Sequence, residues 1–118
     1  MKFSVSEDQG QVVQVTILGC LTQPDIAPPL DPFRQILGTD VYKRTVLLDM
    51  QQSNYLDSMC VGWLLGAHKR FRENGGKLVI HSLQPVASNV ISLLRLDTVF
   101  HLAHDAPGAL KLAEGEVA

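Results

Sequence analysis

The chain has 118 residues, of which 46% are hydrophobic and 19% are charged, and its formal net charge is -2 at pH 7. That length suits a single domain over residues 1–118, and the charge lacks the basic surplus that direct nucleic-acid binding requires. The apolar runs are shorter than the ~20 residues of a membrane span, and the start MKFSVSEDQG is too polar for a signal peptide. Two cysteines, Cys20 and Cys60, do not make a disulfide framework, so we expect a reduced, cytoplasmic protein without membrane insertion.

Alternating apolar residues predict two strands at the start of the chain. In QVVQVTILG, Val13, Val15 and Ile17 point to one face, as in a mostly buried strand. Phe3 and Val5 predict a shorter strand before it, with the polar SEDQG as a hairpin turn. The pattern weakens from residue 22 to 38, where four prolines interrupt it, and only a short helix ending near Gly38 is expected from the spacing of Phe33, Ile36 and Leu37.

The middle of the chain predicts a buried strand followed by a long helix. TVLLDM, residues 45–50, is a continuous apolar run typical of a strand that is buried on both faces. A helix follows from about Ser58 to Asn74, with Gly75 as its C-terminal cap. Gly62 and Gly66 would let this helix approach a sheet closely. Its apolar stripe consists of Cys60, Leu64, Ala67 and Phe71.

Strands and helices alternate through the second half. KLVIHS, residues 77–82, predicts a buried strand, and a helix is expected from Pro85 to Leu94. A short strand at 99–102, a last helix at 107–112 and a frayed tail at 113–118 complete the chain. The apolar side of the Pro85 helix is predicted to be Val86, Val90, Leu93 and Leu94. The order of elements indicates an α/β fold, with a mixed central β-sheet and helices packed on it.

Asp57 and Ser58 stand where the central strand region gives way to the long helix. Both are good N-cap residues, so capping alone explains their types. A phosphate on the serine would also suit this position, because it would add about -1.5 to -2 charges beside free backbone N–H groups. Capping and modification both remain open on these grounds.

Other reactive side chains do not form a recognisable site. Cys60 at a helix start allows a redox role, but its place in the apolar stripe favours a buried core residue. Trp63 suits core packing or, if exposed, an interface anchor. No G-x-S-x-G motif is present, and the histidines lack the partners of a metal ligand set, so we expect neither catalysis nor a metal. The histidines are His68, His81, His101 and His104.

The sequence resembles the STAS domain family, the sulphate transporter and anti-sigma factor antagonist family. The resemblance is carried by VTILGCL, by TVLLDM and by YLDSMCVGWLLGAHKRFRENGGKLVIHSLQPVASNVISLLRLDTVF, which together cover most of the chain. In this family, an aspartate and a phosphorylated serine open the long helix, which implies Ser58 as the phosphoacceptor and Asp57 as the neighbouring acid. Met59 and Cys60 depart from the small residue and the glycine that usually follow.

The resemblance implies a regulatory protein rather than an enzyme. We expect an anti-sigma factor antagonist-like switch whose partner is an anti-sigma factor and serine kinase of the histidine-kinase-like ATPase type. The surface implied for that partner consists of Asp57, Ser58, Met59, Gly62 and Trp63. No cofactor is expected, since ATP and magnesium belong to the kinase. The alternative is a constitutive STAS interaction module, such as a small subunit of a lipid-transport ATPase complex, and the oligomeric state is left open.

Overall fold

The computed structural model of the chain describes residues 2–8, 12–18, 33, 37, 38, 40–53 and 58–113. Within these residues there are five strands, β1 (Lys2–Asp8), β2 (Val12–Leu18), β3 (Thr45–Asp49), β4 (Lys77–His81) and β5 (His101–Ala103). The same part of the chain contains the helices α1 (Ser58–Glu73), α2 (Pro85–Leu93) and α3 (Ala106–Ala113), and short 3-10 turns at Val41–Lys43 and Leu96–Thr98.

All five strands form one mixed sheet in the order β1-β2-β3-β4-β5. β1 pairs antiparallel with β2, and the remaining neighbours pair in parallel. Residues in register across the centre include Val13, Val46 and Leu78. The parallel pairs require crossover connections, and α1 and α2 supply them between β3 and β4 and between β4 and β5. This confirms the α/β fold with a mixed sheet that the sequence predicts.

The main core lies between one face of the sheet and helices α1 and α2. Val13, Val15 and Ile17 of β2 are fully buried there, which confirms the predicted face of this strand. From α1, Leu64, Ala67 and Phe71 are buried in the same cluster, as the helical stripe predicts. The side chain of Cys60, the fourth member of that stripe, lies outside the described residues.

The opposite face of the sheet is covered by α3. Leu47 of β3 and Val79 of β4 are fully buried against Ala109 of this helix. Because Val46 and Leu48 are buried on the other face, β3 is covered on both sides, as its continuous apolar run predicts.

The end of α1 is fixed by a glycine cap. Gly75 has φ of +84°, and the N–H of Gly76 donates to the carbonyl of Phe71 at 2.8 Å. This six-residue hydrogen bond across a left-handed glycine is the Schellman pattern of helix ends. The predicted cap at Gly75 is therefore confirmed. The same turn leads the chain directly into β4.

Several predicted boundaries are wrong. The predicted turn at residues 6–10 begins too early, since β1 continues to Asp8 through a register shift between Val5 and Glu7. Such a shift inserts one unpaired residue and lets the strand continue past a polar stretch. The strand predicted at 99–102 begins instead at His101, because the N–H of Phe100 donates to the carbonyl of Leu96 in a turn.

The predicted apolar side of α2 is wrong at three of its four positions. Leu93 is 82% exposed and Val86 and Leu94 are more than half exposed, whereas Val90 packs against the core as predicted. The fully buried residues of this helix are instead Ala87 and Ile91. The helix carries apolar residues around most of its circumference, so the pattern alone does not select the buried side. In α1, a Cβ at Gly62 or Gly66 would meet no atom within 4 Å, so the expected close approach to the sheet is not found.

Only part of the region from 22 to 38 is described. Phe33 and Leu37 are helical, and Gly38 has φ of +87°, which agrees with a helix that ends near Gly38. Cys20 and residues 114–118 lie outside the described residues. Among the helices that are described, none combines the length and apolar character needed to cross a bilayer.

Candidate functional site

The long helix α1 begins at Ser58, at the edge of the sheet where the parallel strands end. β3 ends at Asp49, and α1 then runs back along the sheet so that β4 can start in parallel at Lys77. The start of α1 therefore lies on the carboxyl edge of the sheet, where α/β proteins place their functional loops.

The predicted partner residues are only partly described. Asp57 lies outside the described residues, and the backbone of Ser58 and Met59 is helical while their side chains are not described. Gly62 is exposed one turn further along α1. Trp63 is half-buried, and its ring stacks on Phe33 at 5.4 Å with an interplanar angle of 11°. The indole therefore contributes to packing, and its remaining surface lies within one and a half turns of Ser58.

A cavity of about 600 Å³ lies on the same carboxyl edge. We call it the carboxyl-edge cavity. Its walls come from the ends of β3 and β4, from the start of α2 and from the loop before α3. The residues that carry polar side chains there are Asp49, Gln51, His81, Ser82, Gln84, His104 and Asp105.

Hydrogen bonds hold the loops of this edge together. The Asp49 carboxylate accepts the N–H of Gln51 at 2.9 Å, and the Gln84 side chain donates to the carbonyl of Gln51. The N–H of Met50 donates to the carbonyl of His81 at 3.1 Å. The loops after β3 and β4 are thus tied to one another on the edge of the sheet where α1 also begins, and their hydrogen bonds make this part of the edge a preformed surface.

His81 and Ser82 are the most unusual residues of the carboxyl-edge cavity. His81 is 1% exposed, and its Nδ1 and the Ser82 hydroxyl are hydrogen-bonded at 2.8 Å, whereas its Nε2 is buried without a partner. Ser82 has φ of 59°, in the left-handed region that non-glycine residues seldom adopt. Burial lowers the pKa of His81, while the carboxylates of Asp49 and Asp105 act in the opposite direction.

This serine and histidine do not form the arrangement of a hydrolase. In a catalytic triad, a third group orients the base through its second ring nitrogen, and among the described residues Nε2 of His81 has no such partner. The described residues also contain no group of three or more side chains that could hold a metal ion.

The sequence alone does not single out His81 and Ser82. The position of His81 after an apolar run predicts only an ordinary core or surface role, and nothing in a serine predicts a left-handed backbone. The only indication is that a histidine occupies the end of a strand that is otherwise apolar. His104 lines the same cavity, whereas His68 and His101 lie at the other edge of the sheet, so the four histidines do not converge.

Similar folds occur in three solved structures. The anti-sigma factor antagonist SpoIIAA in its unphosphorylated form superposes with a TM-score of 0.73 at 16% identity, over 99% of this chain and 100% of that one. An anti-sigma factor antagonist from Mycobacterium paratuberculosis gives 0.70 at 22% identity, over 96% and 95%. An anti-sigma-factor antagonist (STAS) domain protein from Planctomyces limnophilus gives 0.66 at 20% identity, over 95% and 97%. At these identities the likeness establishes the fold.

Family membership comes from the sequence itself. Residues 5–104 match the family described as "Mlab, STAS domain". The match begins within β1 and ends just beyond β5, so it contains the whole sheet except the first residues of β1. The chain belongs to the STAS domain family.

Proposed function

We propose that this protein is an anti-sigma factor antagonist-like regulator that binds a kinase and anti-sigma partner through the carboxyl edge and is switched by phosphorylation of Ser58. The observation that carries the proposal is the start of α1 at Ser58, on the same edge of the sheet as the hydrogen-bonded loops. The anti-sigma factor antagonists of the same fold give it further support. The partner surface comprises Asp57, Ser58, Met59, Gly62 and Trp63.

The local electrostatics of α1 suit a phosphate at Ser58. The first turn of this helix contains no acidic residue, and its free N–H groups and dipole favour negative charge. A phosphate would therefore be tolerated by the fold. A partner docked over the same surface would instead meet about -1.5 to -2 charges, and binding would weaken unless the partner supplied a matched cation.

In this proposal the protein has no turnover of its own. It acts in the cytoplasm, and the kinase supplies ATP and magnesium. The proposed sequence of events is partner binding in the unmodified state, phosphate transfer to Ser58, and release.

The direct test incubates the purified protein with ATP and a candidate serine kinase of the histidine-kinase-like ATPase type, and locates phosphate by mass spectrometry. We expect phosphate on Ser58 and none on Ser58→Ala. Ser88→Ala is the matched control, because Ser88 is an exposed serine on a different helix. Ser58→Asp should fold normally, since a carboxylate at a helix N-terminus stabilises by roughly 0.3–1 kcal/mol, but should bind the partner more weakly.

The outcomes separate the switch from helix capping and from a permanent interface. If Ser58 only caps α1, Ser58→Ala should lower the free energy of unfolding by about 0.5–2 kcal/mol, and no phosphate should be transferred. A Ser58 that stays unmodified beside an active kinase, in a protein that still binds its partner, would refute the switch and support a constitutive STAS module.

A further inference from the structure

A second cavity lies at the opposite, amino edge of the sheet, where α1 ends and β3 and β4 begin. We call it the amino-edge cavity. Its volume is about 300 Å³, and it is separate from the surface assigned to Ser58. Its lining residues are Thr45, His68, Arg72, Gly75, Gly76, Lys77, Leu78 and His101.

The charged side chains that line the amino-edge cavity are positive. Arg72 and Lys77 are cationic, His68 and His101 can become so, and the lining residues that the structure describes include no carboxylate. The acid nearest in sequence, Glu73, is in contact with Lys69 at 3.8 Å. The Lys77 ammonium donates one hydrogen bond to the carbonyl of Leu112 at 2.7 Å, which leaves two of its three N–H groups for a ligand.

His68 lines the amino-edge cavity from a largely buried position. It is 7% exposed, and its Nδ1 is buried, with no hydrogen-bond partner among the described residues. Phe100 packs edge-on against its ring at 5.7 Å, and the ring of His101 lies 5.5 Å away. The ring is therefore held in place beside the second imidazole of the cavity.

The positive field of the lining also acts on the two imidazoles, after burial. Burial and then the charge of Arg72 lower the pKa of His68. Burial, then Lys77 and His68, lower the pKa of His101. The C-terminus of α1 opposes this field with the equivalent of about half a negative charge, which is less than the two full charges of Arg72 and Lys77.

We propose that the amino-edge cavity binds a small tetrahedral oxyanion, a sulfate or a phosphate group, held by Arg72, Lys77 and the imidazoles of His68 and His101. The anion would accept hydrogen bonds from the N–H groups of these side chains. A phosphate could be free or could belong to a small phosphomonoester, since both present the same oxygens. Binding would raise the proton affinity of both imidazoles, so the site would take up protons with its ligand.

The test is a titration of the isotope-labelled protein with sodium sulfate, followed by the imidazole and backbone resonances. We expect saturable shifts at His68, His101 and Gly76, at constant ionic strength maintained with sodium chloride. Sulfate keeps its double charge across the useful pH range. Its affinity should therefore rise as the pH falls below about 6.5 because of the protein alone, since the pKa values of both histidines lie below that ordinary value and the imidazoles become charged only there.

Two variants and two further anions complete the design. Arg72→Gln should weaken sulfate binding by about fivefold or more, because it removes a charge-assisted contact. Lys69→Gln removes the same charge from an exposed position of the same helix and should change the affinity less than about twofold. Inorganic phosphate and glycerol 3-phosphate, titrated separately, distinguish a free anion from a phosphomonoester by which binds more tightly.

The proposal is overturned if chloride alone reproduces the shifts, if the shifts occur away from the amino-edge cavity, or if Arg72→Gln and Lys69→Gln have equal effects. An affinity independent of pH would also refute it. None of these results bears on Ser58, because the two sites lie at opposite edges of the sheet.

Discussion

Gly76 lies directly against the backbone of the segment that leads into β3. A Cβ at this position would stand 2.5 Å from the carbonyl oxygen of Arg44, and closer still to that of Tyr42. The obstacle is backbone that is itself fixed, since the N–H of Lys77 donates to the carbonyl of Arg44 at 3.1 Å. Gly76→Ala should therefore lower the free energy of unfolding by about 2–4 kcal/mol.

Urea denaturation of three glycine variants checks this prediction. Gly75→Ala has open space around the new Cβ but must keep φ near +84°, so we expect a loss of about 1–2 kcal/mol. Gly66→Ala also meets open space, inside a helix, and should instead stabilise by about 0.5–1 kcal/mol. A Gly76→Ala variant no less stable than Gly75→Ala would show that the backbone yields at this contact.

At the scale of elements, α3 depends on contacts at both of its ends. It has 8 residues, too few to be stable as an isolated helix, yet it covers Leu47 and Val79 on one face of the sheet. The Asp105 carboxylate accepts the N–H of Gly108 at 2.9 Å at its start, and Lys77 donates to the carbonyl of Leu112 at its end. These two side chains fix the helix over the sheet.

We therefore expect Asp105→Ala to lower the free energy of unfolding by about 0.5–2 kcal/mol. Asp105→Asn should retain most of the stability, because asparagine is an equally good N-cap. Hydrogen exchange should show the loss first in the amides of α3. Equal losses in both variants would mean that the charge of Asp105, rather than its capping hydrogen bond, is what matters.

The sequence predicts an element well when several of its residues indicate the same structure. β3 and α1 are predicted well because a continuous apolar run and a repeated stripe each involve several residues. The buried side of α2 is not predicted, because Val86 and Leu93 are as apolar as Ala87 and Ile91, and only the fit against the sheet decides. The amino-edge cavity is not predicted either, because its charges come from three elements that meet only in the fold.

At the scale of the whole molecule, stability should depend on pH through three histidines. Burial is the largest cause that lowers the pKa of His68, His81 and His101 in the folded state. The unfolded chain, with ordinary values near 6.5, therefore binds protons more readily than the folded chain as the pH falls. The free energy of unfolding should be constant above about pH 6.5 and should decrease as the pH falls below it.

Urea denaturation between about pH 8 and about pH 5.5 tests this dependence. A histidine that is neutral when folded and charged when unfolded contributes a slope of up to about 1.4 kcal/mol per pH unit. His101→Gln, at an exposed position, should reduce the slope while leaving the fold intact. Stability that increases from pH 7 to pH 5.5 would contradict the prediction.

The order of strands in the sheet is also their order along the chain. Each new strand therefore pairs with the one completed just before it, and no strand has to insert between two others that are already paired. During synthesis the β1–β2 hairpin can form first. The later strands can then join the sheet one after another on the side opposite β1, and α1 and α2 can pack on it as the chain passes from one strand to the next. In the finished sheet the edge opposite β1 is β5, a strand of only 3 residues, so on this side the folded protein offers little exposed backbone for pairing with another molecule.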